Sequence, residues 1–289
     1  MLDKGFPTPN RLDLRVVVMY YLPNGLNEHL MWGDIMKITT LGTSHGDATL
    51  SRFQSSTLYE AGDNIYLVDC GEPVTALMTR AQKPFDKLKA VFVTHLHADH
   101  MSGLPMLISY LLKYPHNHQH THIYLPEDNV DVLLAWLKSL HKNLSNLERL
   151  ISFHIIKEGF FYNDGCLSVK AIPTEHLSWA AREADLPSYA FHIEAEGKKV
   201  LHTGDLKGDF SDFPLDAQRE RYNICLCEAT HFNPKDATPI FMKSQLDRLL
   251  FTHVYDKWEG QEGRAQLLDY CKDLAYPVEI ANDGDVIEL

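Results

Sequence analysis

The chain has 289 residues, a net charge of −12 at neutral pH, and 45% hydrophobic against 23% charged residues. That composition describes a globular protein with a substantial core and excludes intrinsic disorder, while the acidic balance disfavours non-specific binding to nucleic acid or anionic lipid. No apolar run approaches the roughly 20 residues that span a bilayer, so a membrane is not an expected partner. Five cysteines without a C-x-x-C spacing form no secreted disulfide framework, and a reducing, cytoplasmic setting is expected.

Residues 1–35 contain Pro7, Pro9, Pro23 and Gly25 and show no sustained periodicity. They read as an N-terminal extension of uncertain structure, with Met36 as a functional start; the alternative is an added edge strand over Leu14 to Tyr21. A domain over 36–289 follows. Its strand-like runs are 37–41, 56–60, 65–68, 90–94, 122–125, 151–156, 167–172, 189–195, 200–203, 224–228, 249–254 and 278–281. Helical periodicity covers 74–80, 103–114, 128–141 (Val130, Leu133, Leu134 and Leu137 on one face) and 262–275 (Leu267, Leu268, Cys271 and Leu274). Glu196-Gly197-Lys198-Lys199 reads as a hairpin tip. Cys225 and Cys227 share one face of a strand and read as buried thiols; Tyr59, Tyr66, Trp136 and Phe153 read as core. The interleaving of strands and helices predicts one layered α/β domain.

The unusual count is histidine, at 16 residues, and the decisive segment is Thr94-His95-Leu96-His97-Ala98-Asp99-His100. It follows the apolar run Ala90-Val91-Phe92-Val93. Side chains two apart on extended chain point the same way, so His95 and His97 can clasp one cation while Asp99 and His100 turn towards a second. A second histidine-rich stretch, His116, His118, His120 and His122, lacks an acidic partner and reads as a solvated loop.

H-x-H-x-D-H after a hydrophobic strand resembles the signature of the metallo-β-lactamase superfamily. Four further motifs appear in that family's order: Val68-Asp69-Cys70-Gly71, Thr174-Glu175-His176, His202-Thr203-Gly204-Asp205 and Phe251-Thr252-His253. The resemblance implies an αββα four-layer sandwich. It implies that His95, His97 and His176 hold a first metal, that Asp99, His100 and His253 hold a second, and that Asp205 bridges both. It also places Asp69 behind the ligands, fixing an imidazole. Two divalent ions are implied; nitrogen and oxygen donors without thiolate favour zinc, with manganese or iron as alternatives. The implied chemistry is hydrolysis by water activated at a metal pair.

Leu41-Gly42-Thr43-Ser44-His45-Gly46-Asp47 and Cys227-Glu228-Ala229-Thr230 resemble the tRNase Z-like branch, which contains phosphodiesterases. Glu228 is then a candidate for positioning catalytic groups, beside Asp99 and Asp205. Two features depart from that branch. Only 28 residues separate His176 from Asp205, too few for a tRNA-gripping arm, and the branch's His-Ser-Thr segment is missing. His231 is the candidate to replace it as proton donor, and His45 is expected on a loop facing the site. The expected substrate is a small or cyclic nucleotide-like phosphodiester. A tRNA 3′-end, or a carboxylic ester, lactone or thioester, is the alternative, and a metal-binding sensor without turnover is the non-enzyme case. A homodimer is the oligomer kept open.

Overall fold

The computed structural model describes residues 35–114, 119–179 and 186–289. The expectations for residues 1–34, and for His116 and His118, lie outside those residues.

Two seven-stranded sheets face each other. The first has the order β14 (Asp285–Glu288), β1 (Lys37–Gly42), β2 (Ser56–Ala61), β3 (Asn64–Val68), β4 (Leu88–Phe92), β5 (Thr121–Leu125) and β6 (Ile151–Ile155). It is antiparallel from β14 to β3 and parallel from β3 to β6. The second has the order β13 (Val278–Ile280), β12 (Leu249–Val254), β11 (Ile224–Ala229), β10 (Lys198–His202), β9 (Ser188–Ala195), β8 (Leu167–Thr174) and β7 (Gly159–Asn163). Its strands β10 to β13 are parallel and β7 to β10 antiparallel.

Three apolar layers hold these elements together. Tyr59, Tyr66, Phe92, Val169, Phe191 and Leu226 fill the space between the sheets. On the outer face of the first sheet, Leu67, Val91 and Ile123 pack with α1 (Val74–Arg80), α3 (Leu104–Lys113) and α4 (Val130–Ser139) through Leu77, Leu107 and Leu133. On the outer face of the second, Leu201, Cys225, Cys227 and Phe251 meet Phe241 of α7 (Pro234–Phe241) and Leu267 of α8 (Gly260–Tyr270). This is the expected αββα sandwich. Strands buried on both faces read as unbroken apolar runs, which is why β11 and β12 are legible without alternation. Among the described residues no helix is long and apolar enough to cross a membrane.

The hairpin between β9 and β10 turns at Glu196 (φ 51°) and Gly197 (φ 69°), both left-handed as a two-residue turn of this hand requires. Cys225 and Cys227 lie together in the outer core as free thiols.

Several expectations are corrected. Trp136 is 46% exposed, because α4 buries only Leu133 and Leu137. The helix expected over 262–275 ends at Tyr270, and Leu268 faces solvent. Strands β7 and β14 and helix α7 were not anticipated. The two strands are short edges, and α7 contains Pro239 in its interior, which reads as a breaker. His122 belongs to β5 rather than to a solvated loop.

The carboxyl ends of β3, β4, β8, β10, β11 and β12 converge on one edge of the sandwich, where the motif residues follow them. The turn after β3 is tied to that edge by three backbone bonds: Cys70 N–H to His100 O (2.6 Å), Gly71 N–H to Ser55 O (2.9 Å) and Gly103 N–H to Cys70 O (2.8 Å). A methyl group at Gly71 would collide with the Asp99 carbonyl and come within 2.7 Å of the Gln54 backbone. Gly71→Ala should therefore destabilise the fold by about 1–3 kcal/mol, read as a lower urea midpoint. Unchanged stability would show that this close approach is not needed.

Candidate metal centre

Seven side chains from four segments meet here. In one group the donor atoms of His95, His97, His176 and Asp205 lie within 4.8 Å of one another; in the other, so do those of Asp99, His100, Asp205 and His253. The sequence-derived division therefore recurs in space, with Asp205 common to both. Asp205 Oδ2 lies 3.3 Å from His100 Nε2, 3.4 Å from His253 Nε2, and 3.6 Å from both His95 Nε2 and His176 Nε2. Asp99 Oδ2 is 3.3 Å from His100 Nε2 and 3.8 Å from His253 Nε2. His97 points Nδ1 inward, 3.3 Å from His176 Nε2.

Local backbone explains the directions. After His95 and His97 on extended chain, a single helical turn, α2 (Ala98–Met101), swings Asp99 and His100 to the other side. His253 is less ordinary. β11 and β12 pair Glu228 with Thr252 and then Ala229 with Val254, so His253 is an extra, bulged residue at φ 48°. A bulge redirects a side chain out of the strand's alternation, and here it aims the imidazole at the centre.

Most of the rings are held from behind. His100 Nδ1 is 2.7 Å from Asp69 Oδ2, His253 Nδ1 is 2.7 Å from Ser55 Oγ, His95 Nδ1 is 3.1 Å from Thr94 Oγ1, and His176 Nδ1 is 3.3 Å from Leu206 O. Asp69, itself at φ 63°, also accepts from Thr94 N–H at 2.8 Å. Engaging Nδ1 leaves Nε2 directed inward, the arrangement a metal-binding imidazole requires. Ser55, Thr94 and the Leu206 carbonyl carry no motif, and the sequence does not reveal them.

The donor set fits divalent cations. His95 Nε2, His100 Nε2 and Asp205 Oδ1 are buried without a hydrogen-bond partner, a costly state for three polar atoms in one place unless a cation satisfies them. Burial, then the neighbouring His100, lowers the His95 pKa; burial also lowers those of His97 and His253, favouring neutral imidazoles. Burial opposes the Asp205 carboxylate, but His100 and His253 outweigh it and hold its pKa well below the ordinary range.

Glu228 and His231 stand beside this centre. Buried Glu228 accepts from the backbone N–H groups of Leu206 (2.7 Å), Thr230 (2.9 Å) and His231 (2.9 Å), and lies 3.0 Å from His231 Nδ1. The His231 ring lies 4.5 Å from that of His176 and stacks on that of His253 at 5.6 Å. Burial disfavours its imidazolium, but the hydrogen bond and charge of Glu228 prevail and push its pKa up to about 9. His45 does not face the donors. Its loop reaches them through Gly46, where a Cβ would stand 3.6 Å from Asp99, but the His45 ring lies against Tyr255, with Nε2 3.3 Å from Asp256. His120 bonds Ser152 and the Arg149 carbonyl, and joins no ligand group.

Among known proteins, the chain is similar to Ribonuclease Z of Rippkaea orientalis, at 27% identity over 87% of this chain and 72% of that protein. It spans only 56%, 55% and 54% of three further Ribonuclease Z relatives. In structure it is similar to the metallo-β-lactamase fold protein YhfI from Bacillus subtilis (TM-score 0.70, 22% identity, 89% of this chain and 100% of that one). It is also similar to a diphosphatase from the PhnP family (TM-score 0.64, 18% identity, 88% and 98%). These likenesses show the metallo-β-lactamase fold, with similarity in sequence to the tRNase Z-like branch. Residues 36–237 match the model described as Anti-Pycsar protein Apyc1, and the chain belongs to that family.

Proposed function

We propose that the protein is a two-metal phosphodiesterase acting on a small or cyclic nucleotide-like phosphodiester. The observation that carries this reading is the pair of donor groups overlapping at Asp205 with His231 and Glu228 on their border. His95, His97 and His176 would hold one cation, Asp99, His100 and His253 the other, and Asp205 both. Nitrogen and oxygen donors without thiolate suit zinc, and the same set would accept manganese or iron. When bound, the cations supply hydroxide at neutral pH and positive charge against the phosphoryl oxygens.

The protein's own part is orientation and proton delivery. Ser55, Asp69 and Thr94 fix the rings. Glu228 holds His231 through Nδ1, and His231 Nε2 makes no hydrogen bond among the described residues, so it can donate a proton to the departing oxygen as the P–O bond breaks. The Ribonuclease Z relatives, whose name denotes RNA cleavage, support a phosphodiester over a carboxylic ester. Substrate size follows from what surrounds the centre. β9 and β10 take up 13 of the residues between His176 and Asp205, and the chain carries net charge −12. Folded RNA needs cationic surface reaching well beyond the metals.

Four outcomes test this reading. Asp205→Ala should lose bound metal and at least about 100-fold in turnover, measured by elemental analysis and hydrolysis of bis(p-nitrophenyl) phosphate; full metal content in that variant would refute the bridging role. Ser55→Ala should weaken binding of one cation by roughly 10–100-fold in a chelator competition and spare the other, with Ser55→Thr restoring it. His231→Ala should keep its metal and lose roughly 100-fold or more with alkyl esters, but much less with p-nitrophenyl esters, whose leaving group needs no proton. In a low-salt assay with zinc and manganese forms, precursor tRNA should remain uncut. Efficient cleavage at its 3′ end would make tRNA processing the function instead.

A further inference from the structure

Of the alternating histidines, His122 lies apart from the catalytic centre in β5 and not on a solvated loop. His122 on β5 and His154 on β6 project from neighbouring parallel strands, and His122 Nδ1 stands 3.0 Å from His154 Nε2. The His120 ring lies 5.0 Å from that of His122, and Tyr124 stacks on His154 at 4.6 Å with ring planes 20° apart, fixing its orientation. Beyond their mutual contact, neither ring makes a hydrogen bond among the described residues. In that contact one imidazole donates to the other; because the outer nitrogens (Nε2 of His122, Nδ1 of His154) make no hydrogen bond among the described residues, the shared proton can move to an outer nitrogen and free both facing lone pairs for an ion.

We propose that His122 and His154 form a second, peripheral metal site, taking a divalent ion of tetragonal preference such as Ni2+ or Cu2+. The separation of the two nitrogens selects the geometry. An ion about 2.0–2.1 Å from each, the usual imidazole distance, would see donors 3.0 Å apart at roughly a right angle. Tetrahedral coordination would spread them further, so zinc fits less well. Burial, then the neighbouring imidazoles, lowers the pKa of both histidines, so neither needs to shed a proton at neutral pH to bind. The charged neighbours acting on His122 are Lys89 and Asp164, of opposite sign, so no net charge repels the ion. The site is separate from the catalytic centre. His122 pairs with Ala90, and four residues of largely extended chain lie between Ala90 and His95, a span on the order of 15 Å. Because β6 is the edge of its sheet, an ion there would clip the edge strand to its neighbour.

The test is equilibrium dialysis of the full-length, zinc-loaded protein against Ni2+ with zinc held constant, counting total ions by elemental analysis. Wild type should hold one ion more per chain than His122→Ala or His154→Ala, while both variants hydrolyse bis(p-nitrophenyl) phosphate as wild type does. Asp205→Ala should keep the extra ion, which separates failure of this site from failure of the catalytic reading. Ni2+ should also raise the thermal midpoint of wild type but not of His154→Ala. Equal ion counts in wild type and both variants, or an extra ion that survives His154→Ala, would reduce the pair to a hydrogen bond between imidazoles and overturn the proposal.

Discussion

A carboxylate buried among imidazoles is the constraint around which this molecule is organised. Asp205 is 3% exposed, and four histidine nitrogens crowd within 3.6 Å of its Oδ2. Removing such a group from water costs several kcal/mol unless charge and hydrogen bonds replace the solvent. The same edge also buries Asp69, Asp99 and Glu228. Four carboxylates packed together would repel one another strongly, and cations at the shared donors are the natural compensation. The fold holds together an anionic, donor-rich centre whose carboxylates are buried.

Holding it requires contacts far from the donors in sequence. The first loop supplies Ser55 to His253 and the Ser55 carbonyl to Gly71, so its position matters to both the centre and the turn after β3. That loop is anchored by a buried arginine. Arg52 donates to Thr43 Oγ1, to the Ala281 carbonyl and to Glu259. Asp283 accepts from the Thr43 N–H and hydroxyl and from the Phe53 N–H. The carboxyl-terminal segment thus pins the loop that orients a proposed ligand, while β14 pairs with β1 beside it. Residues 281–283 influence the centre without approaching it.

The pairing of Glu228 with His231 shows how a local sequence relation becomes chemical. The two are three residues apart at the end of β11, and the chain turns so that one carboxylate receives two backbone N–H groups and the imidazole of that turn. A histidine on a surface loop would titrate near its usual range; this one is biased towards its cation and held against the rings of His176 and His253. That bias comes from a contact the spacing permits but does not by itself guarantee.

What the sequence determined alone is what depends on local pattern: a layered α/β domain, from apolar runs interleaved with amphipathic helices, while the αββα layering and the full set of proposed ligands came from the resemblance that short strand-ending motifs carry. His95 and His97 lie two apart and Asp99 and His100 follow on one helical turn, so their division into two groups is a property of the segment itself. The tertiary structure decided what depends on residues distant along the chain. The bulge that aims His253 exists only because β11 pairs with β12 out of step at Ala229, and no local signal marks it. Ser55 and Thr94 are ordinary hydroxyls until folding sets them behind imidazoles. Trp136 reads as core and still faces solvent, because it lies off the face of α4 that carries Leu133 and Leu137 into the core. His122 and His154, 32 residues apart, met only through the register of β5 on β6, since strand pairing is a long-range choice that local sequence does not encode.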